Sequence, residues 1–495
     1  MIRIAKFLLK HKTKIIIVFL MIVGSFLRLY RLEDLMVYLG DEGRDMLIVM
    51  DIIQGKNLPL IGPPTSVGEL YLGPIYYYFI TPFAWIFKMN PIGPAVFVAM
   101  LGILTIPLLY KVSQKFFNSS AVGIMAAAFF TLSPLIIKFS RSSWNPNPMP
   151  FFSLLLLLSL LNLLKTKRPK HLFLAIFSFS VILQLHYMVV VIAPFLIYFL
   201  WKISKDIKDK KALLLGTFIF IMMLSPLLIF DLKHDFVNTN GFLAIFKERS
   251  NSGFNLFDLL SRSRDRLRQL FSLFFGFAER SRRTNLIIII TMLISLYDLI
   301  IKKNKLKLLF FGYFFWSLLT LGFYRKSVYP HYLGFLFPIP AIIVANSINI
   351  VSKKKLILKL AGIMIFFSLS LNMLKLVKDD LMRPPVLNVK LVKKIVRLIE
   401  KESGGKLFNF ALLAKNNYDS SYRFFFKLWD IPAVYQTEIS DQLIIVCEDK
   451  DICKPEGNPK WEIALFDAAY DGKIKKVGYW EPDQLIEVFK FVPDE

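Results

Sequence analysis

The chain has 495 residues, 55% hydrophobic, 15% aromatic and 20% charged, with a formal net charge of +26. Mean hydropathy is +0.52, which together with repeated long apolar runs excludes an ordinary soluble domain and indicates a polytopic membrane protein. The positive charge does not indicate a nucleic-acid partner, because the lysines and arginines cluster in short loops between apolar runs, as on the cytoplasmic side of membrane proteins.

The first apolar run, Ile15 to Leu29, follows basic Lys10, Lys12 and Lys14 and lacks a small-residue cleavage site, so it is expected to be an anchor. A helix needs about 20 apolar residues to cross a bilayer. The expected spans are Lys14–Leu29, Pro94–Leu109, Ala121–Ile137, Phe151–Leu164, Leu172–Leu185, Val189–Trp201, Leu213–Phe230, Leu286–Ile301, Leu308–Phe323, Leu333–Ile350 and Leu356–Leu374. One further segment, Gly73 to Phe87, is apolar but short and rich in Tyr, Trp and Pro. It either spans or lies in the interface, where aromatic residues prefer to sit.

The lysines decide between these. If the segment lies flat outside, Lys111 and Lys115, the 165–170 cluster, Lys202 to Lys211, Lys302 to Lys307 and Lys353 to Lys355 all fall inside. If it spans, every one of them turns outside, against the positive-inside rule. Eleven spans in the plasma membrane follow, with the N-terminus cytoplasmic and the C-terminus extracytoplasmic.

A loop between about Asp231 and Arg283 departs from the pattern, carrying Arg262, Arg264, Arg266, Arg268, Arg280, Arg282 and Arg283 outside. Its length is near the limit at which the rule weakens. Its centre, Leu267 to Phe277, is expected to be an interfacial helix on anionic headgroups, or to bring an arginine to a lipid phosphate. Beyond Lys378 the composition changes. Arg383-Pro384-Pro385 ends the last membrane helix, and a helix from Val389 to Glu402 stops at Gly404-Gly405. Strands at Phe408–Leu413 and Leu443–Cys447 and a helix near Ser420–Trp429 then indicate a small external α/β domain. The domain layout is therefore 1–377, membrane-embedded, and 378–495, extracytoplasmic. Cys447 and Cys453 are too few for the usual metal cluster; they form one disulfide or remain two thiols.

With this orientation the polar groups gather on the outer face. The first external loop holds Gly40-Asp41-Glu42-Gly43-Arg44-Asp45 and Glu69, and the second holds Ser140-Arg141-Ser142-Ser143-Trp144-Asn145-Pro146-Asn147. His186-Tyr187, Asp231, His234, Arg325, Lys326, Tyr329, His331 and Tyr332 lie at other span ends on the same side. Such convergence is what a site needs. Asp41-Glu42 suits a base that removes a hydroxyl proton, since partial burial raises a carboxylate's proton affinity. The alternative is a wetted pair bridged to Arg44. A divalent metal on the pair is also compatible, although ligand count is not legible and no cofactor is required. Arg44 and Arg141 suit a phosphate, with a headgroup anchor as the alternative for Arg141. His186 and His331 suit donation to a phosphate or sugar, or metal ligation, against a bland role as interfacial polar residues. Tyr76-Tyr77-Tyr78 and Trp144 read as aromatic belt before sugar platform.

Asp41-Glu42-Gly43-Arg44 after the first span resembles the first-loop motif of membrane-embedded GT-C glycosyltransferases. The similar group is the bacterial and archaeal family-39 type, related to protein O-mannosyltransferases and aminoarabinose lipid A transferases. Pro74-Ile75-Tyr76-Tyr77-Tyr78 resembles their juxtamembrane helix, and residues 140–147 resemble their second external loop. His331-Tyr332-Leu333 with Phe337-Pro338 and Pro340-Ala341 resembles a late-span motif. The resemblance, covering roughly Lys14 to Ile350, implies a GT-C-like polytopic α-helical membrane fold with juxtamembrane helices in the first external loop. It implies an inverting glycosyltransferase with a polyprenyl-phosphate-linked sugar as donor and a protein, lipid or glycan hydroxyl as acceptor. Asp41, with Glu42 beside it, would activate the acceptor. The donor phosphate and sugar would meet Arg44, Arg141, Asn145, Tyr329, His331 and Glu69, the last offset from the family's acidic position. Two departures stand out. Gly73 replaces a lysine found before the proline in many relatives, and Asn145 and Asn147 replace an acidic residue in the second loop. The rival readings are a lipid or glycan transporter or flippase, and an anchored receptor. Polar groups gathered at one face of apolar spans favour the enzyme, since transport sites sit near the midplane.

Overall fold

The structure, a computed structural model, describes residues 2–65, 70–207, 209–247, 255–302, 304–353, 355–385, 387–435 and 438–494. The helices of the first four-fifths of the chain are α1 (Ile2–Leu29), α2 (Leu32–Leu35), α3 (Gly40–Ile53), α4 (Ile75–Ile86), α5 (Ile92–Phe117), α6 (Ser120–Leu132), α7 (Pro134–Phe139), α8 (Met149–Thr166), α9 (Pro169–Leu185), α10 (Ala193–Ser204), α11 (Lys210–Lys233), α12 (Val237–Lys247), α13 (Leu256–Phe275), α14 (Arg282–Lys302), α15 (Lys305–Leu321), α16 (Ile339–Ser352) and α17 (Leu356–Met382). After them come α18 (Val389–Ser403), β1 (Asn409–Leu413), α19 (Ser420–Leu428), β2 (Leu443–Cys447), α20 (Trp461–Ala469), β3 (Ile474–Asp483) and β4 (Ile486–Pro493). Short 3₁₀ turns, Tyr187–Ile192 and Pro330–Leu336, lead into α10 and α16.

Ten of the eleven expected spans fall on a helix or on a turn continued by one, and the other, Ala121–Ile137, is divided between α6 and α7. Among the described residues, six are long and apolar enough to cross a membrane by themselves, and a seventh is the pair Pro330–Leu336 with α16, bent by 52°. α6 and α9 are apolar but shorter, at 13 and 17 residues. Pro134 opens α7 and separates it from α6, where one continuous span was expected. This is a multi-pass membrane architecture. The Tyr-rich segment forms α4, 12 residues long, or roughly 18 Å at 1.5 Å per residue. That is too short for a hydrocarbon core of about 30 Å.

Contacts divide the chain into two units. One is Met1–Tyr30, Leu58–Phe83 and Pro94–Arg383; the other is Arg31–Asn57, Ala84–Gly93 and Pro384–Glu495. The acidic stretch of the first loop thus folds with the C-terminal unit.

In the helical unit, α13 explains the arginine-rich loop. Its apolar side buries Leu259, Leu270, Phe271, Phe274 and Phe275. On its polar side, Arg262 Nε donates to Gly322 O at 2.6 Å and Gln269 Nε2 donates to Val328 O at 2.9 Å. Arg268 Nε donates to Asn285 Oδ1 at 3.0 Å. The helix therefore braces the segment that leads to Tyr329 and His331.

In the second unit, β1 and β2 pair in parallel, and β4 pairs antiparallel with both β2 and β3, giving the order β1-β2-β4-β3. Parallel pairing requires a crossover, which contains α19. One sheet face packs Leu443, Ile445 and Phe489 with Ile463 and Phe466 of α20. α18 buries Val389, Val392, Ile395, Val396 and Ile399, the spacing of one helical face. Asn388 caps it, accepting from Leu391 N at 2.9 Å, and Gly404 ends it at φ 63°. Cys447 and Cys453 form a disulfide, so of the two states left open by the sequence the cross-linked one is present.

Candidate active site

The acidic stretch is the first turn of α3. Carboxylates belong there, because a helix N-terminus carries partial positive charge. The two adjacent acids face different surroundings. Glu42 is only 6% exposed and accepts a hydrogen bond from Leu39 N at 3.0 Å, closing the end of the helix. Burial, partly opposed by that hydrogen bond and reinforced by Asp41, pushes its pKa up to about 8. Glu42 is therefore mostly neutral near pH 7. The Asp41 side chain is 40% exposed and pairs with Arg44 Nη1 at 2.8 Å. Arg44 also grips Asp45 Oδ1 through Nε and Nη2, at 3.1 and 2.7 Å. One guanidinium thus lies between the carboxylates of Asp41 and Asp45.

α3 can lie this way only because of two glycines. A Cβ on Gly43 would stand 2.3–2.4 Å from backbone atoms of Ser420 and Ser421, and one on Gly40 would stand 2.6 Å from the Tyr418 ring. The helix thus sits directly on the start of α19. Lys427 Nζ and Asp51 Oδ1, 2.8 Å apart, close the far end. Tyr38, fully buried, packs against Phe425.

Four residues absent from the expected site join it here. Tyr418 Oη donates to Asp41 Oδ1, and Arg44 Nη1 donates to Tyr418 Oη at 3.1 Å. Asn417 Oδ1 accepts from Gly40 N at 2.8 Å, while its Nδ2 donates to both oxygens of Glu448 at 3.0 and 2.8 Å. Tyr422 Oη donates to Glu448 as well, at 2.8 Å. Burial raises the Glu448 pKa, with the hydrogen bonds from Asn417 and Tyr422 opposing it. Burial also holds the Tyr418 hydroxyl above the ordinary tyrosine range, so it donates as a neutral group. Nothing local in sequence points to these partners; Asn417 and Tyr418 lie 377 positions from Gly40 and Asp41 respectively. The one legible sign was the glycine at each end of Gly40-Asp41-Glu42-Gly43, a spacing that leaves one helix face bare.

The other expected residues belong to the helical unit. Arg141 has a side chain only 2% exposed, paired with Asp380 at 2.9 Å. Its Nε and Nη2 donate to Leu27 O at 3.1 and 2.5 Å. Asn145 Nδ2 donates to Leu185 O at 2.7 Å, and Asn147 Nδ2 to Ser142 O at 2.8 Å. The second loop thus turns its polar groups inward. Asp231 caps α12, accepting from Asn238 N at 2.8 Å and Thr239 N at 3.0 Å. Arg28, not singled out from the sequence, is fully buried and donates to Gly24 O at 3.1 Å.

His331 and Tyr329 lie in an aromatic group. The His331 ring is 4.4 Å from Trp144, 5.5 Å from His186 and 6.0 Å from Tyr329, centre to centre. His186 Nδ1 accepts from Met188 N at 3.2 Å, leaving Nε2 to carry the proton. Burial first, and then the neighbouring His331, depress its pKa well below the usual value. Beside this group an apolar cavity of about 520 Å³ is lined by Tyr187, Val191, Pro194, Phe242, Phe323 and Tyr324. Gly73 fits so tightly that a Cβ there would stand 2.3 Å from Gln184 Cγ. Any side chain there would have to displace that of Gln184. Glu69 lies outside the described residues. Among the described residues no three His, Cys, Asp or Glu side chains are grouped as a metal site.

Residues 72–230 match the family described as dolichyl-phosphate-mannose-protein mannosyltransferase. No curated protein matches the chain in sequence. The crystal structure of ArnT from Cupriavidus metallidurans bound to undecaprenyl phosphate superposes with a TM-score of 0.58 at 11% identity, over 97% of this chain and 98% of that one. The archaeal oligosaccharyltransferase AglB from Archaeoglobus fulgidus, in complex with an inhibitory peptide and a dolichol-phosphate, superposes with a TM-score of 0.54 at 12% identity, over 96% of this chain and 74% of that one. At these identities the likeness is one of fold. The chain has the GT-C fold of membrane glycosyltransferases, as the order of its loop motifs suggested.

Proposed function

We propose that the protein is an inverting glycosyltransferase that moves a sugar from a polyprenyl-phosphate carrier to an acceptor hydroxyl at the outer face of the membrane. The observation that carries this is the state of Asp41: half-exposed, on the first turn of α3, with Arg44 and Tyr418 both on Oδ1. Oδ2 accepts no hydrogen bond from a described residue and is open to take a proton. The carriers bound to ArnT and AglB, undecaprenyl phosphate and dolichol-phosphate, supply the donor class. The matched family's description, a dolichyl-phosphate-mannose transferase, agrees.

In this mechanism the acceptor hydroxyl gives its proton to Asp41 as its oxygen attacks the anomeric carbon. The bond from that carbon to the phosphate oxygen breaks on the opposite side, through an oxocarbenium-like transition state. The polyprenyl phosphate leaves with the bonding electrons, and the configuration inverts. Arg44 supplies positive charge for the developing phosphate charge. The base is Asp41 alone, because Glu42 is buried and already bonded to the backbone. The apolar cavity beside His186 and Tyr324 suits a prenyl chain. His186, His331 and Tyr329 serve the donor head. Arg141 and Asn145 act by holding the second loop. The disulfide fits an oxidising, extracytoplasmic side for the C-terminal unit.

The test compares cells producing the wild-type protein and Asp41→Asn. Lipid and glycan mass spectrometry should show a sugar-modified product made only by wild type, with at least a 10²-fold loss in the variant, as general-base removal typically gives about 10²–10⁴. Purified Asp41→Asn should still bind undecaprenyl phosphate. Undiminished product in the variant removes Asp41 as the base.

A further inference from the structure

We infer, on the reading that Asp41 is the base, that Tyr418 and Asn417 are positioning residues for it and that the C-terminal unit is thereby part of the catalytic apparatus. Two donors, Tyr418 Oη and Arg44 Nη1, converge on Oδ1 of Asp41. Donors on one carboxylate oxygen fix the side chain's orientation and favour its ionised form. The other oxygen is thereby turned outward.

Tyr418 is held from behind. Its neighbour Asn417 spans from Glu448 to the first amide of α3 and also accepts from Tyr418 N at 2.9 Å. Glu448 directly follows Cys447, which is tied to Cys453. A continuous run of bonds therefore links the end of the interior strand β2 to the reacting carboxylate. Glu42, Arg44 and Asp45 face Asp41 from its own helix; Tyr418, with Glu448 behind Asn417, faces it from the other side.

A purely structural role explains this contact poorly. α3 is already seated by the Gly43–Ser421 approach, by Lys427 on Asp51 and by Tyr38 against Phe425. The Tyr418 hydroxyl adds nothing to that burial. It sits on the exposed side and bonds the atom group that does the chemistry.

The experiment reads Asp41 ionisation without using the reaction. Full-length protein in detergent is treated with a water-soluble carbodiimide and an amine over a pH series, and modification of Asp41 is located by fragment mass spectrometry. The reagent couples the protonated carboxyl, so loss of a donor should move half-maximal labelling to higher pH. Tyr418→Phe should raise this midpoint by about half to one pH unit. Asn417→Ala should move it in the same direction, and it carries the test alone if Tyr418→Phe does not fold. In transfer assays Tyr418→Phe should lower kcat about 3- to 10-fold with the donor KM unchanged, and its acid limb should shift upward. An unshifted midpoint overturns the inference, whatever transfer does. A shifted midpoint together with full transfer by Asp41→Asn leaves the positioning intact and overturns the base assignment instead.

Discussion

Arg44 and Arg141 were both expected at a phosphate, and they occupy opposite kinds of surroundings. Arg44 keeps a fifth of its side chain exposed and holds two carboxylates, one of them open to solvent. Arg141 is sealed, with its donors on a main-chain carbonyl and on Asp380. An exposed, carboxylate-compensated guanidinium can exchange a partner for an incoming phosphate at small cost. A sealed one cannot, because its release strips the buried Leu27 carbonyl of its side-chain donors and leaves Asp380 to Arg383 alone. The first loop therefore keeps an exchangeable guanidinium, and the second spends its own on holding shape.

Beyond the loss of transfer in Asp41→Asn, three substitutions probe that contrast. The largest effect on stability is expected from Arg141→Ala, about 3 kcal/mol from breaking a buried pair. It would be measured by denaturant or thermal unfolding in detergent. A stable variant with weakened undecaprenyl phosphate binding would break the contrast by making Arg141 a ligand. Gly43→Ala should cost about 1–3 kcal/mol of overpacking, since its Cβ meets backbone and not a yielding side chain. Transfer should fall further than stability, because α3 is displaced from Tyr418.

Glu42→Gln should be the mildest. At pH 5 the amide copies the neutral carboxyl and accepts from Leu39 N. The wild-type group has a folded pKa near 8 against an ordinary value of 4.5. Its contribution is thus fully present below about pH 4.5 and is lost as pH rises through about 8, because the unfolded chain releases the proton first. Unfolding measured across that window should show wild type losing stability while Glu42→Gln stays flatter. Transfer abolished as fully as in Asp41→Asn would instead make Glu42 a second catalytic acid.

What the sequence showed and hid follows from range. Apolar runs, helix stops such as Gly404 and the strands at 409–413 and 443–447 are local signals, and all were legible. The β3–β4 hairpin was not, since β3 reads as Lys475-Lys476-Val477-Gly478 with most side chains exposed. Asp41 and Arg44 stand out in the sequence because a compact charge cluster beside a membrane is unusual. Tyr418, Asn417 and Glu448 could not, because ordinary residues acquire their role only by meeting α3 across the chain. The inward turn of Arg141 and Asn145 was not legible either, since a polar loop turned inward has the same composition as one turned out.

The separation between Gly40 and Asn417, 377 residues, also has a consequence in time. A ribosome adding about 5–20 residues per second needs roughly twenty seconds to over a minute to reach the partner of a helix it made near the start. Throughout that interval the bare glycine face of α3 has nothing to rest on, and Asp41 lacks its second donor. The nascent chain can insert its membrane helices while its acidic helix waits unfinished. The surroundings of Asp41 are completed only by the last quarter of the protein to be made, so a prematurely terminated chain would enter the membrane with Asp41 unbraced.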